Sequence, residues 1–176
     1  MKLSAVEEKF ILHWGEMGTK WGINRTVAQI HALLYLSPKA LNAEEITGTL
    51  SVARSNVSNS LRELQGWGIV RVAHVLGDRR DHFETFDDVW ELFRIILEER
   101  KRREVDPTMA MLRECTAEAK SAGRKQVHTL KRLEAMLDFF DTASIWYAQL
   151  TRLPKNALIK SVKMSGKPRK AAANPS

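Results

Sequence analysis

Between residues 51 and 86 the periodicity of the chain changes, and that change limits the folds open to it more than any other feature. In SVARSNVSNSLRELQGWGIV, Ala53, Val57, Leu61 and Leu64 recur every three or four residues, which predicts one apolar face of a helix over 52–66. The helix should halt at Gly66 and Gly68. From there IVRVAHVLGDRRDHFETF alternates with a period near two around Gly77-Asp78, which predicts a hairpin with Arg79 and Arg80 at or beside its tip. A helix that gives way to a hairpin within a few residues excludes a simple bundle and an all-β sandwich alike.

The segments before it are helical. Leu3, Val6, Phe10, Trp14, Met17 and Trp21 step by three or four and predict an amphipathic helix to about Gly22. Residues 28–36 form a second, apolar helix that stops at Ser37-Pro38. AEEITGTL fits a third, with Asn42 as N-cap and Glu45 closing a variant of the capping box. After the hairpin, Val89, Leu92, Phe93, Ile96 and Leu97 predict a helix ending near Asp106-Pro107, where Asp106 as N-cap and Pro107 at the first position start another over 108–122. Beyond Gly123, Leu130, Leu133, Leu137, Phe140, Ser144 and Tyr147 alternate steps of three and four, a seam like that of a coiled coil, up to Pro154.

Three short helices followed by a hairpin is the order of a winged helix-turn-helix. The expected fold is therefore mainly α: an N-terminal helix plus winged helix-turn-helix over 1–87, a helical dimerisation region over 88–153, and a basic, disordered tail over 154–176. Charge follows this division. Residues 1–86 hold 10 Lys/Arg against 9 Asp/Glu, 87–153 hold 12 against 12, and 154–176 hold 6 against none, so nearly all of the net +7 is in the tail. Net charge alone therefore establishes no acidic partner for the body.

Local patterning carries more. The polar face of the 52–66 helix bears Arg54, Ser55, Asn56, Ser58, Asn59 and Arg62. Ser and Asn are weak interior helix formers, because their short side chains compete for backbone hydrogen bonds, and an ordinary solvated face would carry Glu, Lys and Gln. In a winged helix this third helix enters the DNA major groove while the wing reaches backbone or minor groove. Arg can pair with guanine O6 and N7, Asn with adenine N6 and N7, and Ser with phosphates or several bases. These six residues, with Arg79 and Arg80, are the candidate DNA-binding set, and Arg62, deeper in the helix, fits a phosphate contact or an intrahelical partner rather than a base reader. The alternative for the serines and asparagines is a poorly optimised solvent face, and for Arg79 and Arg80 a solubilising turn.

LSVARSNVSNSLRELQGWGIVRV, GDRRDHFE and DVWELFRIILEERKRREVDP together resemble the GbsR-type branch of the MarR-like winged-helix transcriptional regulators, over about residues 1–150. The resemblance implies a homodimeric repressor on double-stranded DNA, with the reader at 54–62 and the wing at 77–81. Similar sequences commonly have Ser where this chain has Ala53, which leaves Ser51 or Ser55 to supply a hydroxyl at the helix start. Members of the family include sensors of osmoprotectants, so a small-molecule effector is a candidate partner. Quaternary ammonium groups lie well against aromatic faces, which makes Trp14, Trp21, Trp90, Trp146 and Tyr147 candidate ligand residues. Core and dimer packing is the competing use for them.

No metal, cofactor or enzymatic site is expected. The lone Cys115 excludes an internal disulfide and reads as a small buried hydrophobe. His74 and His82, beside Asp78 and Asp81, make a weak zinc pattern, and His13, His31 and His128 are dispersed. No nucleotide loop, metalloprotease or nucleophile-elbow motif occurs. Acidic residues near the start and the lack of a long apolar run lead to the expectation of a cytoplasmic protein with no membrane partner. A winged-helix protein-interaction module and a non-specific DNA-coating protein remain as rival functions.

Overall fold

The computed structural model describes residues 2–154, 156, 157 and 160. Helix α1 (Ala5–Lys20) starts in a capping box: the Glu7 amide donates to Ser4 Oγ, and Glu7 Oε2 accepts from the Ser4 amide at 2.7 Å. The Ser4 amide and hydroxyl, both donating to Glu7 Oε2, hold the Glu7 carboxyl below its ordinary range. The helix ends at Gly22, whose φ of 77° lets its amide reach Thr19 O and lets the Ile23 amide reach Gly18 O, a Schellman closure.

The buried face of α1 differs from the expected stripe. Ile11, Gly15 and Gly18 are buried, Phe10, Trp14 and Met17 are half-buried beside them, and Val6 and Trp21 are exposed. The reason is close packing on α2 (Arg25–Leu36). A Cβ on Gly18 would lie 2.5 Å from Ala28 Cβ, and one on Gly15 would lie 2.7 Å from Gln29 Cγ. The two helices approach through their smallest residues, a face that hydrophobic patterning does not register.

α2 begins three residues earlier than the apolar run suggested, at an Asn24 cap that accepts from the Thr26 amide. Its Ile30 and Leu33 are completely buried and form the centre of the core with Leu41, Ile46, Val57 and Leu64. Helix α3 (Ala43–Leu50) has the predicted box: Asn42 Oδ1 accepts from the amides of Glu44 and Glu45 at 3.0 Å, and Glu45 Oε2 accepts from the Asn42 amide at 2.9 Å. Lys39 and that backbone bond hold the Glu45 carboxyl below its usual range. Ser51, at φ 53°, turns the chain into α4 (Arg54–Gly66). α4 ends as α1 does. Gly68, at φ 71°, donates to Gln65 O and Ile69 to Leu64 O, while the Ile69 and Leu64 side chains are both buried.

The hairpin consists of β2 (Val70–Ala73) and β3 (His82–Thr85), antiparallel with Val72 opposite Phe83. A third strand, β1 (Leu41–Asn42), pairs antiparallel with β3, Leu41 opposite Phe83, and the sheet order is β1-β3-β2. Two residues of strand carry no legible alternation, so β1 was not predicted. The fold is a winged helix with an added N-terminal helix.

α5 (Val89–Arg100) contributes Leu92 to this core. The first compact unit spans Met1–Glu99 and the second begins at Arg100, so the first extends past the boundary expected after residue 87. Asp106 is not an N-cap: its φ and ψ of −61° and −43° are helical, and it begins α6 (Asp106–Ser121) directly after a π-helical stretch, Lys101–Val105. A widened turn accommodates Pro107, which has no amide hydrogen and whose ring would crowd the preceding turn of an α-helix. In the second unit α6 packs on α7 (Val127–Arg152), with ion pairs Arg113–Asp141 at 3.0 Å and Lys120–Glu134 at 3.2 Å. All six seam residues of α7 are half-buried, and Ser144 Oγ lies 3.4 Å from the buried Met109 Sδ of α6. The seam thus meets α6 of its own chain. Cys115 is half-buried, with its thiol 3.6 Å from Met111 Sδ. Of the tail, Asn156, Ala157 and Lys160 are helical; the expectation of disorder otherwise lies outside the described residues.

His31 binds these layers together. Its Nε2 lies 3.3 Å from Thr85 Oγ1, whose own hydrogen is donated to Ile69 O at 2.7 Å, so Nε2 carries the proton and donates. Burial pushes the His31 pKa down to about 4. The unfolded chain therefore takes up the proton first as pH falls. Stability should be complete above about pH 6.5 and drop by about 2 kcal/mol between about pH 7 and pH 5 from this group. Urea unfolding of the wild type and His31→Gln at both pH values should show that increment lost in the variant. Gly18→Ala should destabilise by about 1–3 kcal/mol through overpacking against Ala28, although alanine is the better helix former by about 1 kcal/mol. Gly15→Ala should cost less, since Gln29 can swing away; equal unfolding midpoints for the two variants would contradict the packing argument.

Candidate nucleic-acid interface

α4 separates its residues by chemistry. Val57, Ser60, Leu61 and Leu64 are buried, whereas Arg54, Ser55, Asn56, Ser58, Asn59 and Arg62 are all exposed. Ala53, expected on the apolar face, is instead the exposed N-cap and makes no side-chain cap bond. The first-turn amides thus receive no cap from Ser51 or Ser55, and Ser51 is occupied in the turn that ends α3. Uncapped amides at a helix start favour an external anion. Trp67, which follows this helix, is half-buried against the core.

The wing is stiffened by side-chain pairs across its strands. Arg71 Nε donates to Glu84 Oε1 at 2.8 Å from directly opposite positions, and the Arg71 guanidinium lies over Phe86, 5.3 Å from the ring centroid. At the tip, Gly77 turns the chain at φ 84° and Leu76 is fully exposed. Arg79 is exposed and makes no ion pair among the described residues; the same holds for Arg62.

Arg80 is held differently from a free tip cation. Its Nε donates to Asp78 Oδ1 at 2.9 Å and one terminal nitrogen donates to Oδ2 at 2.6 Å. The other terminal nitrogen donates to Glu44 Oε2 on α3 at 2.9 Å. These contacts hold the Asp78 carboxyl well below its usual range and raise the Arg80 guanidinium further above its own. His82 is buried beneath them, donating from Nδ1 to Arg80 O at 3.0 Å. Glu44 also reaches α4: its Oε1 lies 3.4 Å from a terminal nitrogen of Arg54. Sequence reading missed Glu44, because a carboxylate in a first helical turn is ordinary and its partners lie 10 and 36 residues away.

No group of three or more potential metal ligands occurs among the described residues. Trp14 and Trp21 belong to a run of three rings, and Trp90 to a pair. Phe10 stacks on Trp14 at 5.5 Å and Trp14 meets Trp21 edge-on at 5.9 Å, while Trp90 meets Phe93 edge-on at 6.4 Å. Trp146 is exposed and Tyr147 half-buried on α7, in the second compact unit. Among the described residues no helix is long and apolar enough to cross a membrane.

No family model matches the chain, and no curated protein matches it. Among solved structures, the crystal structure of a transcriptional regulator is similar with a TM-score of 0.64 and 20% identity, covering 90% of this chain and 99% of that one. NadR in complex with 4-hydroxyphenylacetate matches at 20% identity over 75% of this chain and 86% of that one, with a TM-score of 0.38. At this identity the first likeness concerns the fold, and the second is too distant to bear on it.

Proposed function

We propose that the protein is a sequence-specific DNA-binding transcriptional regulator of the MarR-like, GbsR-type kind, a homodimer that represses by occupying an inverted-repeat operator. The observation that carries this reading is the α4 face, where six residues able to bond base edges or phosphates are exposed together on a helix whose other side is core. In a winged helix that face belongs in the major groove. Arg54, Ser55, Asn56, Ser58 and Asn59 would read bases, Arg62 and Arg79 would contact phosphates, and the uncapped amides at Arg54 would favour one more phosphate. A two-fold dimer would place half-site centres about 34 Å apart.

Support for self-association comes from α7. Met136, Phe139 and Trp146 recur along one side of it and are all largely exposed. Soluble monomers seldom leave such a stripe uncovered, and a second copy of the chain would cover it. A small-molecule effector would act by changing the spacing of the two α4 helices, with the Trp14–Trp21 pair and Trp90, Trp146 and Tyr147 as the residues to probe.

Two measurements test the reading. Duplexes selected from the source genome by the protein should bind with steep salt dependence and far more tightly than random duplex. Asn56→Ala should cost about 1–3 kcal/mol on the selected duplex and little on the random one; equal losses would remove base reading from α4. For the dimer, Phe139→Glu combined with Trp146→Glu should sediment as a monomer with unchanged helix content by circular dichroism. A dimer that survives both changes would place the interface elsewhere.

A further inference from the structure

One carboxylate joins the two candidate DNA-contacting elements. Glu44 Oε2 accepts from Arg80 on the wing at 2.9 Å, and Glu44 Oε1 faces Arg54, the first residue of α4, at 3.4 Å. The three side chains line a cleft of about 250 Å³ with Asn42, Asp81 and Phe83. Each of the three is at least half exposed, at 51%, 54% and 73% for Glu44, Arg80 and Arg54. Exposed ion pairs of this kind are weak and exchange readily for a better acceptor. Asp78 occupies the remaining edge of Arg80, so two arginines face two carboxylates, and Asp81 in the cleft wall adds a third.

A duplex phosphate, like a carboxylate, offers anionic oxygens to a guanidinium and so competes for the arginines that Glu44 engages. We propose that Glu44 is a specificity-determining residue of this interface, a carboxylate that stands in for phosphate on Arg54 and Arg80 and so withholds both from indiscriminate backbone binding. The inference rests on the DNA-binding reading above and adds to it a residue outside the reader helix. A duplex without the right base pattern offers only phosphates, and it meets Arg54 and Arg80 already paired, with the Glu44 charge repelling its backbone. The right duplex presents a base edge where Arg54 is held, so the pre-set arginine serves that complex and no other. Discrimination is a difference of affinities, and a repulsive element aimed at the wrong partner widens it.

The test uses the full chain, a random-sequence duplex and the duplex selected by the wild type, with binding measured by fluorescence anisotropy over a range of salt. Glu44→Gln keeps the size and the hydrogen-bonding shape, and Asn42 and Ile46 still cap and anchor α3, so its thermal midpoint should stay near that of the wild type. Random duplex should bind about three- to tenfold tighter in this variant, because one repulsive charge is gone and Arg54, with the terminal nitrogen of Arg80 that Asp78 does not hold, loses its carboxylate. The slope of log affinity against log salt should steepen by about 0.9 for that one charge. The selected duplex should gain less, so the ratio of the two affinities falls. Glu44→Asp, which keeps the charge, should return the wild-type slope. An unchanged slope in Glu44→Gln, or equal tightening on both duplexes, overturns the assignment while Arg54→Ala still weakens the selected duplex and upholds DNA binding. A wild type that binds neither duplex removes the DNA reading itself, and this inference with it.

Discussion

The arrangement of the candidate interface depends on Asn42. Its side chain caps α3, its backbone amide is returned to Glu45, and the same residue pairs with His82 in the sheet. Capping and strand pairing ordinarily occupy different residues, and here one position is subject to both. The start of α3 is therefore fixed to β3, and β3 carries the wing. Because α4 follows α3 after three residues, the first of them the left-handed Ser51, the polar face of α4 is set relative to the wing by two short connections. Leu41, with no exposed surface, holds the other side of this junction in the core opposite Phe83.

Much of this was legible in the residues. The capping box of α3 has a direct chemical signature, the change of period after Gly68 marks the hairpin, and Val57, Leu61 and Leu64 identify the buried side of α4. The α7 seam was legible as a half-buried strip too, though its partner within the chain was not. The misses have two causes: those at Gly15 and Gly18, β1 and Glu44 depend on what lies across a tertiary contact, and those at Ala53 and Pro107 on the local path of the backbone. Gly15 and Gly18 form a packing face with no side chains to signal it. β1 is too short for periodicity and exists because β3 has an open edge. Ala53 fits an apolar stripe by spacing, yet the helix starts one residue after it. At Pro107 the usual signature of a helix start was present, and the chain kept its helical path through a π turn instead. Glu44 meets Arg54 only through the packing of α4 on α3, and Arg80 only where the wing lies against the start of α3.

Charge on this face is organised locally rather than in bulk. The near balance of acids and bases over residues 1–86 does not describe a bland surface. Arg71 is paired along the wing strands, Arg80 is chelated by Asp78, and Arg54 is loosely matched to Glu44, which leaves Arg62 and Arg79 as the cations of the face without an ion pair among the described residues. Within the same unit the buried His31 is neutral and serves as a hydrogen-bond donor between α2 and β3. Polar groups in the core hold the elements in place, and polar groups on the surface are grouped by how firmly they are already engaged.

The contact between Gly18 and Ala28 also constrains how such a sequence can vary over time. Position 18 accepts a methyl group without strain only where position 28 has given one up, because the two Cβ atoms would lie 2.5 Å apart. The two sites are therefore coupled, and their effects on stability are not additive. A lineage that moved from the Gly-Ala pairing to Ala-Gly would pass through either an overfilled or an underfilled intermediate. Descendants should keep the pair or exchange it as a unit, so the joint identity of the two positions is inherited more faithfully than either residue alone.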